Sequence, residues 1–224
     1  MIQAENIYKS YGKDEVLKGV NLFVKKGKIV CILGESGSGK STLLHILGTL
    51  EKPTIKKKII TILKINKKNV LYLLDKELSI IRNEDIGFVF QTPQLFPEFT
   101  VLENICIPGF INKNNKKKCL KKKAENLLKK LNIYKYKDSK PEELSGGQKQ
   151  RLSVARALIN NPKIIFADEP SGNLDMKNAE SLHNFFFFLK KELKQTFLIV
   201  THNLELSDMS DEKLKIENGI LYKI

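Results

Sequence analysis

Apolar and polar positions along the chain fall into two rhythms. Short β-branched runs predict strands at residues 28–33 (KIVCIL), 163–168 (KIIFAD) and 197–201 (FLIVT), each too short for a helix and apolar enough for a buried sheet. Residues 2–8 and 16–24 read as strands joined by turn residues 11–14, and 58–65 and 86–90 read as further strands. A helical pattern opens at residue 40 and runs to about 50. Another occupies 100–160, with breaks expected near Pro108 and Pro141. In residues 178–193, Leu182, Phe185, Phe186, Leu189 and Leu193 form one apolar stripe at helical spacing. Residues 213–216 and 220–224, around Asn218-Gly219, suggest a terminal hairpin. Strands alternating with helices predict an α/β fold with a mostly parallel sheet, interrupted by a helical block of about 60 residues.

Composition narrows the class. With 224 residues, 42% of them hydrophobic and 29% charged, the chain is ordinary for a globular protein and wrong for disorder. No apolar stretch approaches the ~18–20 residues of a spanning helix, and the first fifteen residues lack a signal-peptide core. The three cysteines lie far apart, which fits a reduced compartment and indicates neither a zinc site nor a disulfide framework. The net charge of +14 suggests an anionic partner. Only three basic residues are Arg, however (Arg82, Arg151, Arg156), and Arg is the residue that reads bases bidentately, so nucleic acid is not the expected partner. The run at 112–123 (NKNNKKKCLKKK) is the one low-complexity segment. It reads either as a solvated face or as a contact with anionic lipid headgroups.

The chemistry starts at Gly34-Glu35-Ser36-Gly37-Ser38-Gly39-Lys40-Ser41, which matches GxxxxGK[ST] between a predicted strand and a predicted helix. Its glycines let successive N–H groups turn into one concavity, and the helix that begins there adds positive potential for phosphate. Lys40 can reach the β- and γ-phosphates of a nucleotide. Ser41, followed by Thr42, can offer Mg²⁺ the oxygen ligand it prefers. The 163–168 strand ends in the acids Asp168 and Glu169. Adjacent strand residues face opposite ways, so the two should do different jobs: Asp168 on the Mg²⁺ side, Glu169 as general base toward an attacking water.

A second glycine-rich helix start follows at Leu144-Ser145-Gly146-Gly147-Gln148. Ser145 can cap that helix, and the glycines leave its N-terminus open to an anion. One nucleotide does not obviously need two such devices; two chains head to tail would use both. With GESGSGKS and the strand end FADEP, this LSGGQ motif resembles the ATP-binding cassette family over essentially the whole chain. The resemblance implies a P-loop NTPase (RecA-like) α/β core with an antiparallel β subdomain and an inserted helical subdomain at about 92–160, together forming one ATP-binding domain over 1–224. It implies ATP hydrolysis with Mg²⁺, adenine stacking at Tyr11, a Mg²⁺-linked glutamine at Gln91, a dimer-interface loop ending in Asp175, and a catalytic switch histidine at His202. His45 and His183 are expected to be structural.

ADEPSGNLD resembles the branch that holds lipoprotein-releasing ATPases, macrolide-type exporters and the cell-division ATPase. STLLHILGTLEKPT and LFPEFTVLENICIPGFI look most like the lipoprotein-releasing group. That likeness implies a second copy of the chain and integral membrane permease subunits as partners, at the cytoplasmic face of the bacterial inner membrane. Phe96, Pro97 and Phe99 are then candidate permease contacts. The ATPase of a macrolide-type exporter or of a cell-division complex is the alternative; a soluble cassette, such as a scaffold ATPase of iron–sulfur assembly, and a nucleic-acid-binding ATPase, supported only by the charge of +14, are the remaining readings. The pattern departs from the family at Ile55-Lys56-Lys57-Lys58, where Ser-Gly and a tight turn are usual, and at Asn203, where Asp is common.

Overall fold

The computed structural model describes residues 1–112 and 117–224. Strands β1 (Ile2–Tyr11) and β2 (Asp14–Val24) form a hairpin closed by Gly12 and Lys13, with Tyr11 already paired to Asp14. The turn is thus tighter than the four residues predicted. β4 (Ile62–Ile65) pairs antiparallel with β1 and carries the two-residue β5 (Lys68–Asn69), giving a four-stranded sheet in the order β2-β1-β4-β5. The predicted strand at 58–65 is shortened to its last four residues. Lys58 adopts a positive φ of 72°, outside the extended region of a regular strand, and Lys56 pairs with Glu15.

The second sheet has six strands. β3 (Ile29–Leu33), β6 (Ile86–Val89), β7 (Ile164–Asp168), β8 (Thr196–Thr201) and β9 (Glu212–Glu217) run parallel in the order β9-β3-β8-β7-β6, and β10 (Ile220–Lys223) adds an antiparallel edge on β9. Period-two alternation divides the core. Val30, Ile32, Phe166, Leu198 and Val200 pack on one face with α1 (Lys40–Leu47) and the antiparallel sheet. Ile29, Cys31, Ile165, Phe197 and Ile199 pack on the other with α6 (Met176–Leu193), whose predicted stripe buries Leu182, Phe186 and Leu189 but leaves Leu193 in solvent.

α1 stops at Leu47, short of the expected 50, because Gly48 lies against the Phe88 ring and Thr49 takes φ 62°. A helix that the sequence did not suggest, α2 (Asp75–Glu84), covers the gap between the sheets with Leu78 and Ile81. The helical block consists of α3 (Val101–Ile111), α4 (Lys117–Lys130), two short 3₁₀ turns and α5 (Gly146–Leu158), with its own apolar core. α3 runs through Pro108 rather than breaking there. The Pro108 carbonyl is held by the side-chain amides of Asn83 (2.9 Å) and Asn160 (3.0 Å). The last helix is the short α7 (Leu204–Asp208).

Candidate functional site

The loop from β3 to α1 folds as the motif requires. Gly37 and Gly39 hold φ of 80° and 99°, a region that side-chain-bearing residues avoid. Gly39 is also the N-cap of α1 and offers no side-chain cap, so the first N–H groups of the helix are bare. Lys40 is buried, and its ammonium folds back to donate to the carbonyls of Gly34 and Glu35, both at 2.7 Å. A cleft of about 600 Å³ opens above the loop. It is walled by Gly34–Gly37, Gly39–Thr42, Gln91, Asp168, Glu169 and His202.

The two acids at the end of β7 meet different partners, but not through strand alternation: β7 ends at Asp168, and Glu169 lies beyond it at φ 41°. Asp168 Oδ1 accepts from the Ser41 hydroxyl at 3.1 Å. Burial pushes its carboxyl above the ordinary range, with the Ser41 hydrogen bond pulling the other way. This pair of oxygen donors fits Mg²⁺, which binds through one or two protein ligands and completes its shell with phosphate and water. Among the described residues there is no larger acid or histidine cluster that would serve as an all-protein cage.

Glu169 turns away from the strand at φ 41°. Its Oε2 accepts from the Thr201 hydroxyl (3.0 Å) and the His202 backbone N–H (3.2 Å), and lies 3.0 Å from His202 Nδ1. All three contacts fall on one oxygen. Oε1 has no protein donor among the described residues, which leaves it available to a water in the cleft.

Other predicted residues lie apart. Tyr11 does not wall the cleft. Its hydroxyl donates to Glu51 at 2.7 Å, and the Lys9 ammonium sits 4.9 Å from its ring centre. None of Leu144–Gln148 reaches the cleft either. Leu144 is buried. Ser145 Oγ accepts from Gln148 N–H at 3.4 Å while Gln148 Oε1 accepts from Ser145 N–H at 2.9 Å, closing a capping box on α5. Gly146 faces open space. A Cβ on Gly147 would fall 2.8 Å from Asn178 Cγ. Asp175 caps α6 by accepting from the backbone and side-chain amides of Asn178 (3.0 and 2.6 Å), which hold its carboxyl below the usual range. Arg151 of α5 donates to Asn178 as well, at 3.4 Å.

Three residues that the sequence reading missed thus shape the site: Thr201, which fixes Glu169; Asn178, which joins the Asp175 loop to the LSGGQ helix; and Asn104. Buried in α3, Asn104 donates to the carbonyls of Phe96, Phe99 and Thr100 (3.0 Å each) and accepts from Phe96 N–H at 2.9 Å. A polar residue at an inward position of an otherwise apolar helix was its available signal. His183 is buried as expected, but its Nε2 lies 2.9 Å from Ser171 Oγ, beneath the start of the Asp175 loop.

The profile of the ABC transporter family matches residues 17–172, which span the phosphate loop and both acids. The chain belongs to the ABC transporter family. It is an ATP-hydrolysing cassette of that family, with the P-loop NTPase core, antiparallel β subdomain and helical insertion described above. The lipoprotein-releasing system ATP-binding protein LolD of Cytophaga hutchinsonii is 48% identical over 221 residues, covering 99% of this chain and 98% of that protein. LolD of Bacteroides thetaiotaomicron is 48% identical over 223 residues, covering 100% of both. A dimeric bacterial ABC transporter cassette superposes on this cassette with a TM-score of 0.90 at 38% identity, covering 100% of this chain and 98% of that one. A dimeric cassette in a post-hydrolysis state, bound to ADP and Pi, superposes with a TM-score of 0.90 at 37% identity.

Proposed function

We propose that this chain is the ATP-hydrolysing subunit of a transporter that releases lipoproteins from the inner membrane. Full-length likeness to LolD proteins supports the substrate class. The observation that carries the chemistry is one cleft that gathers Lys40, Ser41, Gln91, Asp168, Glu169 and His202. In this reading residues 1–224 act as one cassette. Two copies close head to tail over two nucleotides, and the LSGGQ segment of each completes the other's cleft. Its open Gly146 front and its absence from the cleft of its own chain support that arrangement.

On nucleotide binding, Lys40 exchanges its two carbonyl partners for phosphate oxygens, and the bare N–H groups of α1 take the rest. Ser41, Asp168 and Gln91 would hold Mg²⁺, which would supply charge neutralisation to the phosphates. Glu169 accepts a proton from the attacking water at Oε1, and Thr201 fixes the rotamer that points it there. His202, pinned by Glu169, orients that water and the γ-phosphate. Tyr11 supplies a face for adenine at the rim.

The membrane subunits would dock on a cleft of about 380 Å³ between core and helical block, lined by Arg82, Phe88, Phe90, Pro108 and Ile111 among others. Phe96 and Phe99 at its approach are 45% and 42% exposed and meet edge to face. No described helix is long and apolar enough to cross a membrane. In this reading the protein is therefore peripheral, held at the cytoplasmic face of the inner membrane by permease subunits. Purification of the tagged chain from membranes, with identification of what accompanies it, tests the assignment. Permeases whose loss leaves lipoproteins in the inner membrane are expected; a permease exporting macrolides, or a solely soluble partner, refutes it. Glu169→Gln should cut turnover by about 10²–10⁴-fold with ATP binding retained, and should trap a dimer visible by size exclusion. Retained turnover refutes the role given to Glu169.

A further inference from the structure

The basic run of the sequence is only partly within the described residues: positions 113–116 lie outside them, and 117–123 form the first half of α4. In that half-helix the lysines divide. Lys123 turns inward and donates to the Ile159 carbonyl. Lys117, Lys118, Lys121 and Lys122 are all exposed and, among the described residues, none is in an ion pair or hydrogen bond. They stand as two i,i+4 pairs of like charge, an arrangement that weakens a helix. The first turn carries no acidic residue, so the cations also sit at the positive end of the helix dipole. Glu125 is the one carboxylate in α4. Like charges this close repel one another, and an external anion relieves that repulsion.

Apolar surface lies beside the charge. A Cβ on Gly109 would fall 2.3 Å from Leu120 Cδ1, so the end of α3 packs on the first turns of α4. Phe110 follows Gly109 in α3 and is 54% exposed. Unpaired lysines flanking an exposed aromatic ring have the chemistry of a peripheral contact with anionic lipid.

We propose that this face, Lys117, Lys118, Lys121 and Lys122 with Phe110 as an apolar wedge, binds the anionic surface of a lipid bilayer directly. The contact does not depend on permease subunits, so its failure and that of the transporter assignment are distinguishable.

The test is flotation of the purified full chain with vesicles of phosphatidylcholine alone or with 30% phosphatidylglycerol added, over a salt series. Binding is expected only with phosphatidylglycerol, and it should fall as salt rises. Each lysine near an anionic surface contributes about fivefold to partition, so replacing all four with Gln should lower it by roughly 600-fold. Phe110→Ser should lower it at every salt concentration. The four Gln side chains relieve like-charge repulsion, so the variant folds, and unchanged ATPase turnover checks that it has. Binding that ignores phosphatidylglycerol, binding that survives the four substitutions, or retention on heparin without vesicle binding each overturns the proposal.

Discussion

Two glycine-rich segments of this cassette each open a helix, and they are finished differently. At α1 the N-cap is Gly39, with no side chain to satisfy the helix, and the bare N–H groups face a cleft already lined with a lysine, two acids and a histidine. At α5 the N-cap is Ser145, which with Gln148 closes the helix end on itself and faces open space. The first presents uncapped N–H groups to the cleft. The second has its Ser145 and Gln148 N–H groups held by the capping box, with open space in front of Gly146. The open device keeps its first-turn N–H groups free for an anion, whereas the capped one has one of them held by a bond worth about 1 kcal/mol.

Breaking the open device should have the largest effect. Lys40→Ala removes the cation that now satisfies Gly34 and Glu35, and nucleotide binding measured by calorimetry should drop beyond detection; unchanged affinity would remove the distinction between the two helix starts. Gly147→Ala strikes the second device. Its new methyl meets Asn178, so turnover should fall at least tenfold, a change of about 1.4 kcal/mol or more in the barrier, while ATP binding to the isolated chain stays unchanged. Equal loss of binding would show that LSGGQ acts within its own chain.

Asn178→Ala removes the tie from α5 to Asp175 and should lower kcat several-fold with little change in KM; a matching loss of Tm with no kinetic effect would reduce Asn178 to a packing residue. The smallest effect concerns His183, under the same loop. Burial lowers its pKa from 6.5, outweighing Glu180 and Glu205. The unfolded chain therefore takes up a proton below about pH 6.5 that the folded chain resists, and stability is lost as pH falls through that point. His183→Gln should flatten the acid limb of a urea-midpoint series; an identical limb would place the acid sensitivity elsewhere.

Much of this was legible in the sequence, for a physical reason. β3, β7 and β8 are apolar on both faces, so their runs stand out, and the phosphate loop and LSGGQ are set by local backbone needs that name their residues. What escaped depends on partners distant in sequence. α2 buries only Leu78 and Ile81, so its periodicity drowns among lysines and leucines. The short β4 follows from a positive φ at Lys58 and an ion pair to Glu15. α3 continues past Pro108, and side chains from other segments, Asn83 and Asn160, hold the Pro108 carbonyl. Thr201 and Asn178 act through contacts to residues 32 and three positions away, and no motif announces either.

Asn104 grips the approach to α3 only through main-chain atoms, the N–H and carbonyl of Phe96 and the carbonyls of Phe99 and Thr100. The shape of that loop is thereby uncoupled from the identity of its side chains. A descendant could exchange Phe96, Pro97 or Phe99 for residues suited to a different membrane partner and keep the loop's course unchanged. One buried amide thus leaves the side chains of the proposed docking loop free to change without altering its course.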